Sequence, residues 1–238
     1  MESLLQQLRG INIKSPQDSF PDIARNLMCN YTIKKGEKRF AIVEIEFYLF
    51  SKEHPDYITY PRKMDAGRWF FHQSGVDISF ESDIELITKN DKIIYKVNDN
   101  SIFGGILIRG IYDIKNKTYI FGPQKCVNAL WDNFDAFHPS LEQYPFVEKA
   151  ESQFENNLFQ CPRHINIDGN DKQLTRIKDW IKRLSIKNIE DIKIKVYQRK
   201  VFEYPYRFFN LQNKEKPWEF IAIPAKARPK EGESIKVN

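Results

Sequence analysis

Hydrophobic and polar positions alternate most clearly over residues 39–50, RFAIVEIEFYLF. Side chains on a strand point alternately to its two faces. Val43, Ile45, Phe47 and Leu49 therefore share one face, and Ile42, Glu44, Glu46 and Tyr48 the other. The first face is continuously apolar and belongs on a core. The second sets two carboxylates and a phenol among large hydrophobes. One reading makes it a wet face, since antiparallel sheets often leave one side in solvent. The other makes it a partly buried carboxylate, held rigidly as a general base beside an aromatic that stacks on a flat substrate. A buried charge is costly unless paired, so the second reading requires a cation nearby.

The flanking patterns predict the remaining elements. Residues 1–14 suit a short helix or an arm. Ile23, Ala24, Leu27 and Met28 have helical spacing, with Ser19 and Pro21 placed for a helix start. Residues 34–38 form a turn. Residues 51–63, SKEHPDYITYPRK, are a loop that its prolines bar from a sheet interior. Residues 67–80, GRWFFHQSGVDISF, read as one strand, with Trp69, Phe71 and Gln73 on one face and Phe70, His72 and Ser74 on the other; Gly75 marks a bulge or a close backbone approach. IELIT and KIIYKV, near Glu85 and Tyr95, form a hairpin. Residues 102–112 make a strand that is apolar except for Arg109. Gly122 and Pro123 open a helix through Cys126, Leu130 and Trp131. Leu174, Ile177, Trp180, Ile181 and Leu184 make one stripe of a helix over 171–185. Strands are expected at 193–201, 206–211 and 218–223. The order implies an α+β fold, a single domain over 1–225 built on a curved, mainly antiparallel β-sheet flanked by helices. Residues 226–238 read as a polar, disordered tail.

Composition narrows the function classes. The 238 residues carry a formal charge of +5, which mildly favours an anionic partner such as nucleic acid. The 18 Phe and 11 Tyr favour strands and aromatic-lined pockets. Cys29, Cys126 and Cys161 have no CxxC spacing, so they read as buried thiols of a reducing compartment. No apolar run suits a signal peptide or a membrane span, and the expectation is a cytoplasmic monomer. No Gly-rich phosphate loop follows a strand, and His138 and His164 have no partners at metal-ligand spacing, so neither cofactor nor metal is expected.

The candidate chemistry lies with Glu46, Tyr48, His54 and Arg109. An arginine in an apolar strand cannot shed its charge and must meet a carboxylate, which Glu44 or Glu46 on a neighbouring strand would supply. Such a pair is structural or catalytic with equal reason. His72, Ser74 and Asp77 form a tempting set, but nothing like a nucleophile elbow surrounds Ser74.

In this order the residues resemble the alkyladenine (3-methyladenine) DNA glycosylase family. FPDIARNLMCNYTI is similar to its "P-x-x-L-A-R-x-L-L-G" entry helix, and AIVEIEFYL to its central "R-I-V-E-T-E-A-Y-L" strand. His54 and Arg62 match "S-H-A…T-P-R", GGILIRGIY resembles "A-V-L-I-R-A-L-E-P", and GPQKCVNAL resembles "G-P-x-x-L-C-x-A-L". CPRHINI and YRFFNLQNKEKPW resemble "P-R-I-G-I" and "P-x-R-F-Y…S-x-W". The resemblance implies base excision repair: hydrolysis of the N-glycosidic bond of alkylated or deaminated purines in DNA, without metal or cofactor. It implies Glu46 as the general base, Arg109 positioning water and carboxylate, and Tyr48, His54 and Phe71 sandwiching a flipped base. Aromatic neighbours would raise the pKa of Glu46, and Arg109 would oppose that. Ser74 stands where the family carries a bulky aromatic that fills the gap left by the flipped nucleotide. That departure keeps open a hydrolase acting on nucleosides or single-stranded nucleic acid, and a non-catalytic nucleic-acid-binding module.

Overall fold

The alternating stretch forms the longest strand, β2 (Lys38–Phe50), at the centre of a ten-stranded antiparallel sheet. The fold comes from a computed structural model, which describes residues 3–132, 137, 143–163, 175, 177–179, 181–182, 184, 186, 198, 201–210 and 235–237. Two helices precede the sheet, α1 (Leu4–Arg9) and α2 (Pro16–Asn30). After α2 come β1 (Tyr31–Lys35) and β2, then β3 (Trp69–His72) and β4 (Gly75–Ser79). The expected hairpin is β5 (Glu85–Lys89) and β6 (Lys92–Lys96), a separate two-stranded sheet. Next are β7 (Phe103–Asp113), β8 (Thr118–Phe121) and α3 (Pro123–Leu130), then β9 (Phe146–Lys149), β10 (Leu158–Cys161), β11 (Arg207–Asn210) and β12 (Ile235–Lys236). The main path across the sheet runs β12-β10-β11-β2-β7-β4-β3, with β1 also on β2, β9 on β1 and β8 on β7. The coarse expectation of an α+β fold on a curved antiparallel sheet holds: the sheet is curled and antiparallel, with few helices among the described residues.

One face of this sheet carries the main core. Ile45, Phe47 and Leu49 of β2, Ile106 and Ile108 of β7 and Val76 and Ile78 of β4 meet the apolar stripe of α2 there. Phe20 of α2 stacks on Phe47 with centroids 4.3 Å apart. The even positions that follow Glu44 therefore point to the opposite face. That parity does not extend to the start of the strand. Ile42 pairs with Ile111, Glu44 with Gly110 and Ile45 with Ile108, so Val43 and Arg109 are each an extra residue in the ladder. The two irregularities cancel in register, but each flips the facing of its own strand. Phe40 and Ile42 thus join the main core, whereas Ala41 and Val43 pack with Cys161 and Phe209 in a second, smaller cluster.

Several expected boundaries shift. Helix α2 starts at Pro16, behind Ser15, and contains Pro21. Proline suits the first helical turn, and the earlier Pro16 takes that position. The expected single strand over 67–80 is a hairpin, because the chain turns at Gln73 and Ser74 and β3 pairs back on β4. Gly75 adopts φ +148 and comes so close to Leu107 and Pro123 that a Cβ would lie under 3.0 Å from each. Ile177, Ile181 and Leu184 are buried together as their stripe requires, while Leu174 and Trp180 lie outside the described residues. The strand expected over 193–201 is helical where described, at Gln198 and Val201. Within the stretch expected to be a disordered tail, β12 pairs with β10 and Val237 is buried in the main core. The strand expected at 218–223, and His138 and His164, fall outside the described residues. No described helix is long and apolar enough to cross a membrane.

The β2–β7 contact is close enough to require a glycine. A Cβ on Gly104 would collide with the Tyr48 carbonyl oxygen and stand 3.0 Å from Leu49 Cα. Gly104→Ala should therefore lower the unfolding free energy in urea by about 1–3 kcal/mol. Gly10→Ala, whose Cβ would meet only the Gln6 carbonyl at 3.4 Å, should cost far less.

Candidate functional site

The face of β2 opposite the main core carries Glu44, Glu46 and Tyr48, and it is not wet: Glu44 is 1% and Glu46 4% exposed. What allows this is a set of arginines brought in by the neighbouring strands. Register places Arg207 of β11 beside Glu46, and the extra residue of β7, Arg109, lies beside Glu44 and Glu46. Glu44 Oε1 accepts from Arg109 Nε at 2.8 Å and from Arg207 Nε and Nη2 at 3.0 and 2.6 Å. Gly110 is what lets Glu44 lie so close, since a Cβ there would be 2.9 Å from Glu44 Cβ. The expectation that Arg109 meets a carboxylate holds, and it meets both.

Glu46 is held mainly through one oxygen. Its Oε2 accepts from the Tyr48 hydroxyl at 2.7 Å and from Arg109 Nη1 at 3.2 Å. Its Oε1 lies 3.6 Å from Arg207 Nε, an ion pair beyond hydrogen-bond distance. Burial pushes the Glu46 carboxyl pKa up, but the Arg109 and Arg207 charges, the Tyr48 hydrogen bond and the Arg163 charge together outweigh it and hold it below the ordinary value. Of the two opposed influences expected on Glu46, the arginine charges prevail over burial, and Glu46 is an ionised carboxylate at neutral pH. Tyr48 shifts the other way: burial and the Glu46 charge keep its hydroxyl protonated, as a donor.

A third arginine stands behind the phenol. The Arg163 guanidinium lies over the Tyr48 ring at 4.4 Å, donates to the Phe47 carbonyl at 3.0 Å and pairs with Asp56 at 2.9 Å. Asp56 in turn accepts from Gln198 Nε2 at 3.0 Å. Arg163 thus covers one face of the ring and fixes its direction. The sequence reading did not single out Arg163, Arg207 or Asp56. For Arg207 a signal existed, because it sits in an apolar strand, RFFN, as Arg109 does in its own.

The other expected site residues are not all gathered here. His54 is buried in its loop. Its Nδ1–H donates to the Leu49 carbonyl and its Nε2 accepts from the Tyr206 hydroxyl, both at 2.9 Å. Burial lowers its pKa, so it is neutral and both ring nitrogens are engaged. Phe71 pairs with Val76, a main-core position, so it points away from the Glu46 face; it is half exposed and packs edge-on against Trp131. Ser74 lies in the β3–β4 turn, its hydroxyl 3.2 Å from that of Tyr60. His72 Nε2–H donates to Asp77 Oδ1 at 2.9 Å and His72 Nδ1 accepts from the Ser74 amide at 3.2 Å. With neither nitrogen left to take a proton from the Ser74 hydroxyl, the set is not a nucleophilic triad. Among the described residues no group of three His, Cys, Asp or Glu is arranged to hold a metal.

No family model and no solved structure matches the chain. An uncharacterized protein of Acanthamoeba polyphaga mimivirus is 30% identical to it over 145 residues, 57% of this chain and 62% of that protein. The chain thus spans less than two thirds of that relative's length.

Two buried groups near the site contribute to the acid response. The folded His54 pKa lies below its ordinary 6.5, so the unfolded chain binds the extra proton first and stability should fall as pH drops below about 6.5. Glu46 has a depressed folded pKa, so its contribution is present above the ordinary 4.5 and is lost as pH falls through the lower folded value. Urea unfolding between pH 7 and pH 3 should show both declines, and His54→Gln should remove the first.

Proposed function

We propose that the chain is an N-glycosylase-like hydrolase that removes alkylated or deaminated purines from DNA by water attack on the N-glycosidic bond. The observation that carries this reading is the state of Glu46: buried, ionised and gripped through Oε2 by Tyr48 and Arg109, with Oε1 beyond hydrogen-bond distance of Arg207. In such a reaction positive charge develops on the sugar as the base departs. A fixed carboxylate stabilises that charge more than a solvated one would, because it needs no reorganisation. The water gives its oxygen to the anomeric carbon and its proton to Glu46, and the electron pair of the broken bond leaves with the base. Low basicity is no obstacle here, since a water attacking a cationic carbon becomes acidic in the transition state. Arg109 holds Glu46 and, with a side chain 25% exposed, reaches from the buried carboxylate towards solvent. Tyr48 orients Oε2 and offers ring surface for a base. The nucleophile comes from water, so the proposed step uses no metal or cofactor. His54 is part of the scaffold in this reading, and Phe71 belongs to the outer surface.

One observation favours a second reading of the substrate. The β3–β4 turn ends in Ser74, whose hydroxyl is tied to Tyr60, so that turn has no bulky side chain to fill a gap in a duplex. Opening a base pair costs a few kcal/mol, which an inserted side chain helps offset. A single-stranded nucleic acid or a nucleoside avoids that cost.

The test is excision from duplex and single-stranded oligonucleotides carrying hypoxanthine or 3-methyladenine, with inosine as the nucleoside. Abasic sites or free base should form with the native chain and should be reduced about 10²–10⁴-fold in Glu46→Gln, which keeps the shape of the side chain. Excision that survives Glu46→Gln, or no release from any of these substrates, would overturn the proposal.

A further inference from the structure

The β5–β6 hairpin stands apart from the large sheet. Its strands pair only with each other among the described residues, and Tyr95 packs it against the core cluster around Phe103. A two-stranded ribbon is marginal by itself and leaves two open edges. This one also presents large apolar side chains to solvent, with Ile93 68% and Leu86 47% exposed.

The turn decides which backbone groups face outwards. Asn90 and Asp91 adopt φ 49 and 57, the left-handed pair of a tight two-residue turn, so Lys89 and Lys92 close the ladder as a hydrogen-bonded pair. Residues 85, 87 and 89 then aim their N–H and C=O groups at β6. Leu86 and Thr88 aim theirs outwards, where they meet no backbone partner among the described residues.

The order of residues in β5, Glu85-Leu86-Ile87-Thr88-Lys89, is complementary to itself. Laid antiparallel on a copy about Ile87, the strand sets Glu85 opposite the partner's Lys89 at both ends. Leu86 and the partner's Thr88 meet there as a hydrogen-bonded pair. Glu85 and the partner's Lys89 then form a non-hydrogen-bonded pair, the kind whose side chains lie closer. One row across the joined sheet is Ile94, Ile87, the partner's Ile87 and the partner's Ile94. The row beside it is Lys96, Glu85, the partner's Lys89 and the partner's Lys92. Within a single hairpin Glu85 accepts from Lys96 at 3.1 Å, but Lys89 stands opposite Lys92, like on like. The partner's Glu85 brings a carboxylate to that lysine pair. The other edge behaves differently. Strand β6, Lys92-Ile93-Ile94-Tyr95-Lys96, laid on its own copy about Ile94 sets lysine against lysine at both ends, which is destabilising.

We propose that β5 pairs antiparallel with β5 of a second copy of this chain, about a two-fold axis at Ile87, joining the two hairpins into one four-stranded sheet. The chain is then a dimer, where its sequence led us to expect a monomer. The contact is isologous and closes on itself, and the β6 edges left outside carry the opposed lysines that discourage further growth. Strands of five residues bury less than a standard interface, so the dimer forms at concentrations on the order of 10–100 μM. Glu46 and its arginines take no part in this contact.

The experiment is sedimentation equilibrium of the full chain at low salt across that concentration range. The average mass should rise from 28.3 kDa towards twice that value. Lys89→Glu sets carboxylate against carboxylate at both ends of the contact and should weaken association about tenfold or more. The same change relieves the Lys89–Lys92 opposition inside the hairpin, so weaker association is not a loss of folding. Glu85→Lys combined with Lys89→Glu restores opposite charges across the axis and should return the association constant to within about threefold of the native one. A mass that stays at 28.3 kDa throughout, association unchanged in Lys89→Glu, or association that the double variant does not recover would overturn the proposal.

Discussion

The face of the sheet that carries the candidate chemistry depends on one buried carboxylate. Glu44 Oε1 takes hydrogen bonds from two arginines that arrive on different strands, Arg109 from β7 and Arg207 from β11. Both strands flank β2, so a single acceptor ties three strands together at their centre. Removing one partner from a buried pair leaves an uncompensated charge, at about 3–5 kcal/mol, so the three residues stand or fall as a set. The backbone is bent to suit them. Val43 and Arg109 are the two extra residues of the β2–β7 ladder, and the irregularity turns Arg109 towards the carboxylates while Gly110 clears space beside Glu44.

That arrangement governs Glu46 in turn. Arg109 bridges the two glutamates and Arg207 lies within reach of both, so two negative and two positive groups share one buried patch. The balance lets Glu46 stay charged out of water. It also lowers its proton affinity, which suits a group that orients a water and answers a developing cation better than one that must abstract a proton from a neutral molecule. The hydroxyl of Tyr48, kept protonated by burial and by the Glu46 charge, directs its hydrogen to Oε2 and so fixes how the carboxylate is turned. Arg163 fixes the ring from behind and carries the network on to Asp56 and the loop before β3.

Much of this was legible in the residues, and what was not has physical reasons. Alternation over 45–49 found the core face of β2, and the lone arginine in an apolar strand announced a buried carboxylate. Alternation could not reveal the flip at Val43, because Ala41, Ile42 and Val43 are apolar on both faces and fit either one. Nor could it tell a wet face from a buried one. That distinction was made by Arg207, far along the chain, whose pairing with β2 no local pattern encodes. The resemblance implied a stacking role for the loop histidine, and its ring joins Leu49 to Tyr206 inside the scaffold. Phe71 was placed in the pocket by the resemblance; alternation set it opposite Phe70 and His72, and only the pairing with Val76 shows which of the two faces lies away from Glu46.

The most direct measurement of this account is the titration of the Glu46 side-chain carboxyl carbon by NMR in the native chain, assigned with Glu46→Gln. The account predicts a midpoint below the ordinary 4.5, because the two arginines and the Tyr48 hydroxyl outweigh burial. A midpoint above that value would mean that the carboxyl is buried without its cations, and the charge-balanced site described for this face would not exist.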